Sequence, residues 1–418
     1  MSATAFDGIR DLRIVDGDGH VLEPLSGMLD HAAPRFRDRI WHVETDADGA
    51  EWCVFDGTRV SSNRMAMAGT AGMPAADLDR AMAGGMRISE VAQIGSDPAT
   101  RLEVMARDAI HQTVVYPTFL LGIAATGDAT FAAAQAAAYN EWVASFCAHA
   151  PDRLFAAGVV PQQDVGLTVA AVRQCAQLGL AAVFLRPNAP IEGTRLCDPM
   201  YDPVWRACEE AGLPVAFHPY LLADVPGVCR ALGLASFSFS SDMEEVGRQV
   251  GLGNIYFSQA IANPFDSMLT LTYMISGGVL ERFPALRCVF LEANGGWVVP
   301  WLERLDHHRA VFGWDVPHLR LTPSEYFRRQ CWISFDADEE FLAATANSPR
   351  CGADRIIWAS DFPHPDAKFP GVVEELAEAT ASLTESQRRR IAGENAAELY
   401  GLPAVTSQQT EVAAWMAR

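Results

Sequence analysis

Arg13-Ile14-Val15-Asp16-Gly17-Asp18-Gly19-His20-Val21-Leu22-Glu23-Pro24 is the stretch from which the fold is read. A short apolar run, Ile14 and Val15, passes into small and polar residues. Asp18 and His20 stand two apart, so an extended backbone points both side chains to the same side. Glycines flank them and leave room for something to approach. A carboxylate and an imidazole aimed at one point form half of a metal site. A polar turn at a strand end would carry the same residues, so the rest of the chain must decide.

From about residue 100 the sequence alternates between segments of helical spacing and short continuous apolar runs. The runs at 113–116, 154–160, 181–185, 214–218, 286–292, 331–335 and 355–361 read as strands. Between and after them, helices are expected near 129–149, 164–178, 200–211, 264–282, 297–311, 338–347, 371–381 and 384–399. A longer connection spans 219–263. With the opening strand this makes eight β-α units. Continuous apolar strand cores belong to parallel strands buried on both faces. Eight such units in an α/β chain fit a (β/α)₈ TIM barrel better than an open doubly wound sheet. No G-x-G-x-x-G follows the first strand.

Residues 21–110 break the alternation. Segments 42–44 and 51–55 flank Asp46-Ala47-Asp48-Gly49, a hairpin signal with glycine in the turn. Residues 61–100 are rich in Gly, Met, Ala and Ser. The expectation is one domain over 1–418 carrying an insertion, 21–110, of β-ribbon and lid-like loops after strand 1.

Composition narrows the function. The 418 residues are half hydrophobic and one-fifth charged, with a net charge of −20. So acidic a surface disfavours nucleic acid and anionic membranes, which both need neutralising Lys and Arg. No apolar run approaches the roughly 20 residues of a membrane span. The nine cysteines are scattered without a C-x-x-C and read as reduced thiols of a cytoplasmic protein. Chemistry on a small-molecule substrate is the expectation.

In a barrel that chemistry sits where strands end at the C-terminal face. Asp18 and His20 follow strand 1, Arg186 strand 4 and His218 strand 5. Glu292 and Asn294 follow strand 6, and Asp361 and His364 follow strand 8. Asp18, His20, His218 and Asp361 offer two imidazoles and two carboxylates, a set suited to one divalent ion, zinc first, manganese or iron(II) otherwise. Glu292 and His364 are the candidates for proton transfer. Arg186 suits a substrate carboxylate, and Asn294 a further substrate contact. Each has a plainer reading: His218 as a core histidine, Asp361 as a cap, Glu292 as a partner of the Gly295-Gly296 turn, Arg186 in an ion pair. Placement of all of them at strand ends is what favours a site.

Several stretches resemble the amidohydrolase superfamily, in the branch of aminocarboxymuconate semialdehyde decarboxylase and the hydroxyaryl-carboxylate decarboxylases. They are Val15-Asp16-Gly17-Asp18-Gly19-His20, Ala216-Phe217-His218-Pro219, Gly278-Val279-Leu280-Glu281-Arg282-Phe283-Pro284, Leu291-Glu292-Ala293-Asn294-Gly295-Gly296-Trp297 and Ala359-Ser360-Asp361-Phe362-Pro363-His364. The resemblance implies a distorted barrel, one divalent metal and a homodimer. Many members have His-x-His at the first strand, where this chain has Asp18-x-His20. Decarboxylating members use a similar carboxylate-x-His pair. Binuclear members bridge their metals with a lysine after strand 4; Arg186 stands there instead, which favours one metal. Decarboxylases commonly place a histidine after strand 6, where this chain has Glu292-Ala293-Asn294.

That departure puts hydrolysis or hydration of a small carboxylate or aromatic compound first. Non-oxidative decarboxylation of a hydroxyaryl or enoic acid comes next, then a cyclising dehydration. A non-haem iron oxygenase or a metal-free binding barrel are the readings from other classes.

Overall fold

The computed structural model describes residues 8–9, 11–61, 65–187, 189, 191, 193–219 and 258–405. Eight parallel strands form the core: β1 (Val15–His20), then β5 (Gln112–Tyr116), β6 (Leu154–Val159), β7 (Ala182–Leu185), β8 (Val215–Phe217), β9 (Cys288–Phe290), β10 (Cys331–Asp336) and β11 (Ile356–Ala359). They pair in chain order from β1 to β11. Helices follow the strands, among them α1 (Pro98–Arg107) before β5 and then α2 (Ala129–Cys147), α3 (Val165–Gln177), α4 (Asp202–Ala211), α5 (Asn263–Ser276) and α6 (Val298–Phe312). The (β/α)₈ barrel is therefore present. The long connection expected over 219–263 lies mostly outside the described residues.

The barrel closes unevenly. β1 shifts register between Asp16 and Gly19. Between β1 and β11 single hydrogen bonds cross in place of a ladder: Asp361 N–H to Asp18 O at 3.1 Å and His20 N–H to Phe362 O at 2.8 Å. Asp16, buried, ties the seam further. It accepts from Ser360 N–H (3.0 Å), the Ser360 hydroxyl (2.8 Å) and the Thr113 hydroxyl (2.8 Å). The carboxylate joins β1, β5 and the end of β11 at one buried point.

The C-terminal segment seals the opposite end. Trp358 Nε1–H donates to Ala392 O at 2.9 Å, and Tyr400 donates to Gly17 O at 3.0 Å. The helix expected over 384–399 is interrupted by a π turn over Arg390–Glu394. A Cβ at Gly393 would lie 2.2 Å from Arg13 O, so only glycine permits this approach. The helix expected over 264–282 is likewise two helices, Asn263–Ser276 and Val279–Arg282, parted by Gly278 at φ +79°.

The insertion holds a three-stranded antiparallel sheet, β2 (His42–Thr45), β3 (Glu51–Phe55) and β4 (Thr58–Ser61). The β2–β3 hairpin follows the sequence reading. The third strand does not, although Asp56-Gly57, with φ +48° and +74°, is a two-residue hairpin turn of the favoured kind. Beyond it, Ala71 N–H donates to Pro363 O at 3.1 Å, and Ala71, Val104 and Phe362 pack together. This part of the insertion therefore rests against the chain that follows Asp361. His42 lies within the small sheet, its ring nitrogens at Ile40 O (2.7 Å) and Glu44 (3.3 Å).

Candidate metal centre

His20 leaves the end of β1, His218 follows β8, and both are fully buried. In each the Nδ1–H has one acceptor, a carbonyl: Pro117 O at 2.8 Å for His20 and Pro219 O at 2.7 Å for His218. A carbonyl only accepts, so the proton sits on Nδ1 and Nε2 of the neutral ring carries a lone pair. The two Nε2 atoms face each other at 3.3 Å. Two bare nitrogens at that spacing repel unless an electrophile lies between them.

Asp18 completes this arrangement. Its Oδ1 stands 3.7 Å from both Nε2 atoms and, though buried, has no hydrogen-bond partner among the described residues. An orphaned buried carboxylate oxygen is costly. Asp361 Oδ1 approaches His20 Nε2 at 3.2 Å, and Glu292 Oε2 approaches His218 Nε2 at 3.1 Å. Burial and the neighbouring charges of Asp361, Glu292 and Asp16 push Asp18 well above the usual carboxylate range. Burial and the charge of Asp361 do the same to Glu292. Paired lone pairs, an orphaned oxygen and crowded carboxylates are what a divalent cation relieves. The donor atoms of Asp18, His20 and His218 lie close enough together to hold one, as do those of His20, Asp361 and His364. The residues present fit a metal.

The backbone aims these groups unusually. Glu292, Asn294 and Asp361 have φ of +42°, +52° and +53°. Left-handed geometry is rare for such residues and concentrates at functional sites. Glu292 is further fixed by an amide chain from α5 and the turn before it: Gln259 Nε2–H donates to Glu292 Oε1 at 3.0 Å, and Asn263 Nδ2–H to Gln259 Oε1 at 2.9 Å.

The ring of His364 lies against that of His20, tilted by 34° with ring centres 4.2 Å apart. Its Nδ1 meets Asp361 Oδ1 at 2.8 Å and its Nε2 meets Thr118 Oγ at 3.0 Å. The Thr118 proton is given to Val21 O at 2.7 Å, so Thr118 accepts from His364. Both ring nitrogens then donate. Burial opposes a charged ring, yet Asp361 carries His364 up to about 9. Asp361 is held well below its ordinary value: burial works the other way, but His364 and His20 outweigh it.

Arg186, after β7, is buried, and its backbone is clamped by Gln162, which donates to Arg186 O at 3.1 Å and accepts from Arg186 N–H at 2.8 Å. Asn294 turns its amide to Asp336 Oδ2 at 3.1 Å. Of the sequence candidates, the structure thus gathers Asp18, His20, His218, Asp361, Glu292 and His364 at one point. Asn294 borders that group, and Arg186 is placed at the adjoining strand end.

Three groups escaped the sequence reading. Asp336 ends β10, and burial with the Glu339 charge raises it well above the carboxylate range. An acid directly after the apolar run 331–335 was the available signal. Asp366 is pushed up to about 7 by burial and by Asp361. Arg101, 1% exposed, sends its guanidinium to His20 O and Phe362 O; burial lowers it to about 10, which leaves it a cation.

The amidohydrolase family model matches residues 15–402. Among curated proteins, the chain is 26% identical to the 2-amino-3-carboxymuconate-6-semialdehyde decarboxylase of Dictyostelium discoideum, over 73% of this chain and 77% of that one. It is 24% identical to the gamma-resorcylate decarboxylase of Rhodococcus jostii, over 63% and 75%. Among solved structures, an amidohydrolase from Mycobacterium avium subsp. paratuberculosis superposes with a TM-score of 0.70 at 22% identity, covering 94% of this chain and 100% of that one. A dihydroxybenzoic acid decarboxylase from Polaromonas sp. JS666, crystallised with manganese and 2-nitroresorcinol, gives 0.59 at 18% identity, covering 82% and 94%.

Proposed function

This chain belongs to the amidohydrolase family, and we propose that it is a metal-dependent, non-oxidative decarboxylase of a hydroxyaryl or closely related unsaturated carboxylic acid. Asp18, His20, His218 and Asp361 are the proposed ligands of one divalent ion. The observation that carries the reading is the pair of Nε2 atoms 3.3 Å apart beside the orphaned Asp18 oxygen. Both curated relatives named above are decarboxylases. They weigh this reading above the hydrolysis or hydration that the sequence put first. Manganese in the Polaromonas structure puts that ion beside zinc as a candidate.

A divalent cation held by Asp18, His20, His218 and Asp361 would supply Lewis acidity toward the substrate's acidic group. The remaining work falls to side chains. Arg186 pairs with the acidic end of the substrate and orients it. Glu292, held through Oε1 by Gln259, delivers a proton from its carboxyl to the ring carbon. The ring–carboxylate bond breaks, and CO₂ leaves without its bonding electrons, which take up that proton. Solvent returns a proton to Glu292. His364, locked between Asp361 and Thr118, keeps Asp361 ionised and in place. Asn294 braces Asp336 at the rim, and the pair meets the substrate hydroxyl.

No helix among the described residues is long and apolar enough to cross a membrane. The eight cysteines among the described residues are free thiols. These features support a cytoplasmic enzyme acting on a small molecule, and we place it there as a homodimer. The test is a panel of hydroxybenzoic and carboxymuconate-type acids offered to metal-loaded protein, followed for CO₂, beside a panel of esters, amides and lactones. CO₂ release that disappears in Asp18→Asn supports the proposal. Hydrolysis without CO₂ release restores the first sequence reading.

A further inference from the structure

We propose that Arg101, a residue of α1 in the insertion, is a positioning residue of the metal centre that locks the two strand ends carrying His20 and Asp361. The inference rests on the ligand set proposed above.

At the seam between β1 and β11 the strand ends are joined by single backbone hydrogen bonds. No ladder joins these strands, and His20 and Asp361 stand on its two sides. The guanidinium of Arg101 bridges it. It donates to His20 O, the carbonyl of a ligand residue, and to Phe362 O at 3.3 Å, the carbonyl next to Asp361. Phe362 O also receives the His20 N–H at 2.8 Å. Carbonyls on both sides of the seam are thus read by one rigid fork, which a lysine or an amide cannot reproduce. The guanidinium carbon lies 5.0 Å from the centre of the Phe362 ring, which fixes its plane.

The placement is expensive for an ordinary packing role. Arg101 is fully buried; the charge of Asp16 acts on it, but among the described residues no carboxylate comes within ion-pair distance of it. Burying a cation without a carboxylate in direct contact is unfavourable. Tying one loop to another needs no charge. A fork that stays ionised beside a pocket of carboxylates, however, holds two ligand-bearing backbones while adding a positive charge behind them. The helix that carries it is well anchored: Pro98 begins α1, and Asp97 accepts from Thr100 N–H at 2.8 Å. The insertion therefore reaches the centre from behind, through Arg101, as well as resting on its rim.

Protein stripped of metal and titrated with MnCl₂, followed by the EPR signal of free and bound Mn²⁺, tests this. Wild type should bind one ion. Arg101→Met should bind it roughly 10–100-fold more weakly, as for outer partners of metal ligands, with a broadened bound-ion spectrum. Arg101→Lys should fall between them. Asn140→Ala removes a buried tie of α2 to β6, at Val159 N and O, and should lower stability while leaving Mn²⁺ affinity unchanged. Wild-type affinity in folded Arg101→Met overturns the inference. So does an equal loss in Asn140→Ala. If Arg101→Met does not fold, wild-type affinity in Arg101→Lys overturns it. No Mn²⁺ or Zn²⁺ binding by wild type strikes the ligand reading itself, a separate result.

Discussion

His20 and His218 turn Nε2 to Nε2 at 3.3 Å, each with its Nδ1 proton given to the carbonyl of a proline, Pro117 and Pro219. The carbonyls dictate the tautomer and the tautomer dictates which nitrogen is bare. Neutral His20 and His218 should therefore show Nδ1–H in long-range ¹⁵N–¹H spectra of metal-free protein at pH 8. Adding Zn²⁺ should shift both Nε2 resonances and leave both Nδ1 protonated. An Nε2–H that persists with Zn²⁺ bound would exclude that ring as a ligand.

Glu292 touches His218 and is steered by Gln259. General acid catalysis contributes typically ~10²–10⁴-fold. Glu292→Gln keeps an acceptor for the Gln259 amide and removes the transferable proton. It should lower kcat by about 10² or more with metal content and KM little changed. A loss of bound metal equal to the loss of kcat would instead make Glu292 a ligand.

Asp16 accepts from the Ser360 hydroxyl and amide and from Thr113. Asp16→Ala leaves several buried donors unsatisfied, at about 1–3 kcal/mol each. Loss of roughly 3 kcal/mol or more is expected in urea unfolding. An unchanged midpoint would remove Asp16 from the account of how the seam closes.

His111 gives the pH dependence a handle away from the centre. Its Nδ1 accepts the Ile14 N–H at 3.1 Å, so the ring must be unprotonated there. Burial, then the charges of Arg153 and Arg13, hold it below 6.5. The folded state thus binds fewer protons than the unfolded one in this range. The contribution of His111 to stability is full above about pH 6.5 and is lost as pH falls through the depressed value. His111→Gln, which keeps an acceptor, should flatten the fall in Tm between pH 7 and pH 5. A slope identical to wild type would contradict this.

The barrel was legible because its strands are continuous apolar runs, and the convergence of Asp18, His20, His218 and Asp361 was legible because they stand in or just after the polar ends of those strands. The length of β1 was not: Asp16 to His20 read as polar residues after a strand, yet all lie within it, held extended by neighbours on β5 and past β11. Arg101 was invisible for a different reason. On a helix of ordinary amphipathic spacing, an arginine looks like a surface residue; only the close docking of Gly95 against Leu22, where a Cβ would meet the Leu22 nitrogen at 2.6 Å, brings that segment onto β1's end. Gln259 and Asn263 are likewise unremarkable in sequence, since their role depends on the left-handed backbone of Glu292 turning its carboxylate toward them.

The most direct measurement is metal content together with CO₂ release. Protein stripped by chelation should be inactive, regain about one Zn²⁺ or Mn²⁺ per chain, and then release CO₂ from a hydroxyaryl acid. Asp18→Asn and His218→Gln should fail to retain the ion and fail to release CO₂. Wild type that binds no divalent ion, or variants that bind it and turn over as wild type does, would contradict the account.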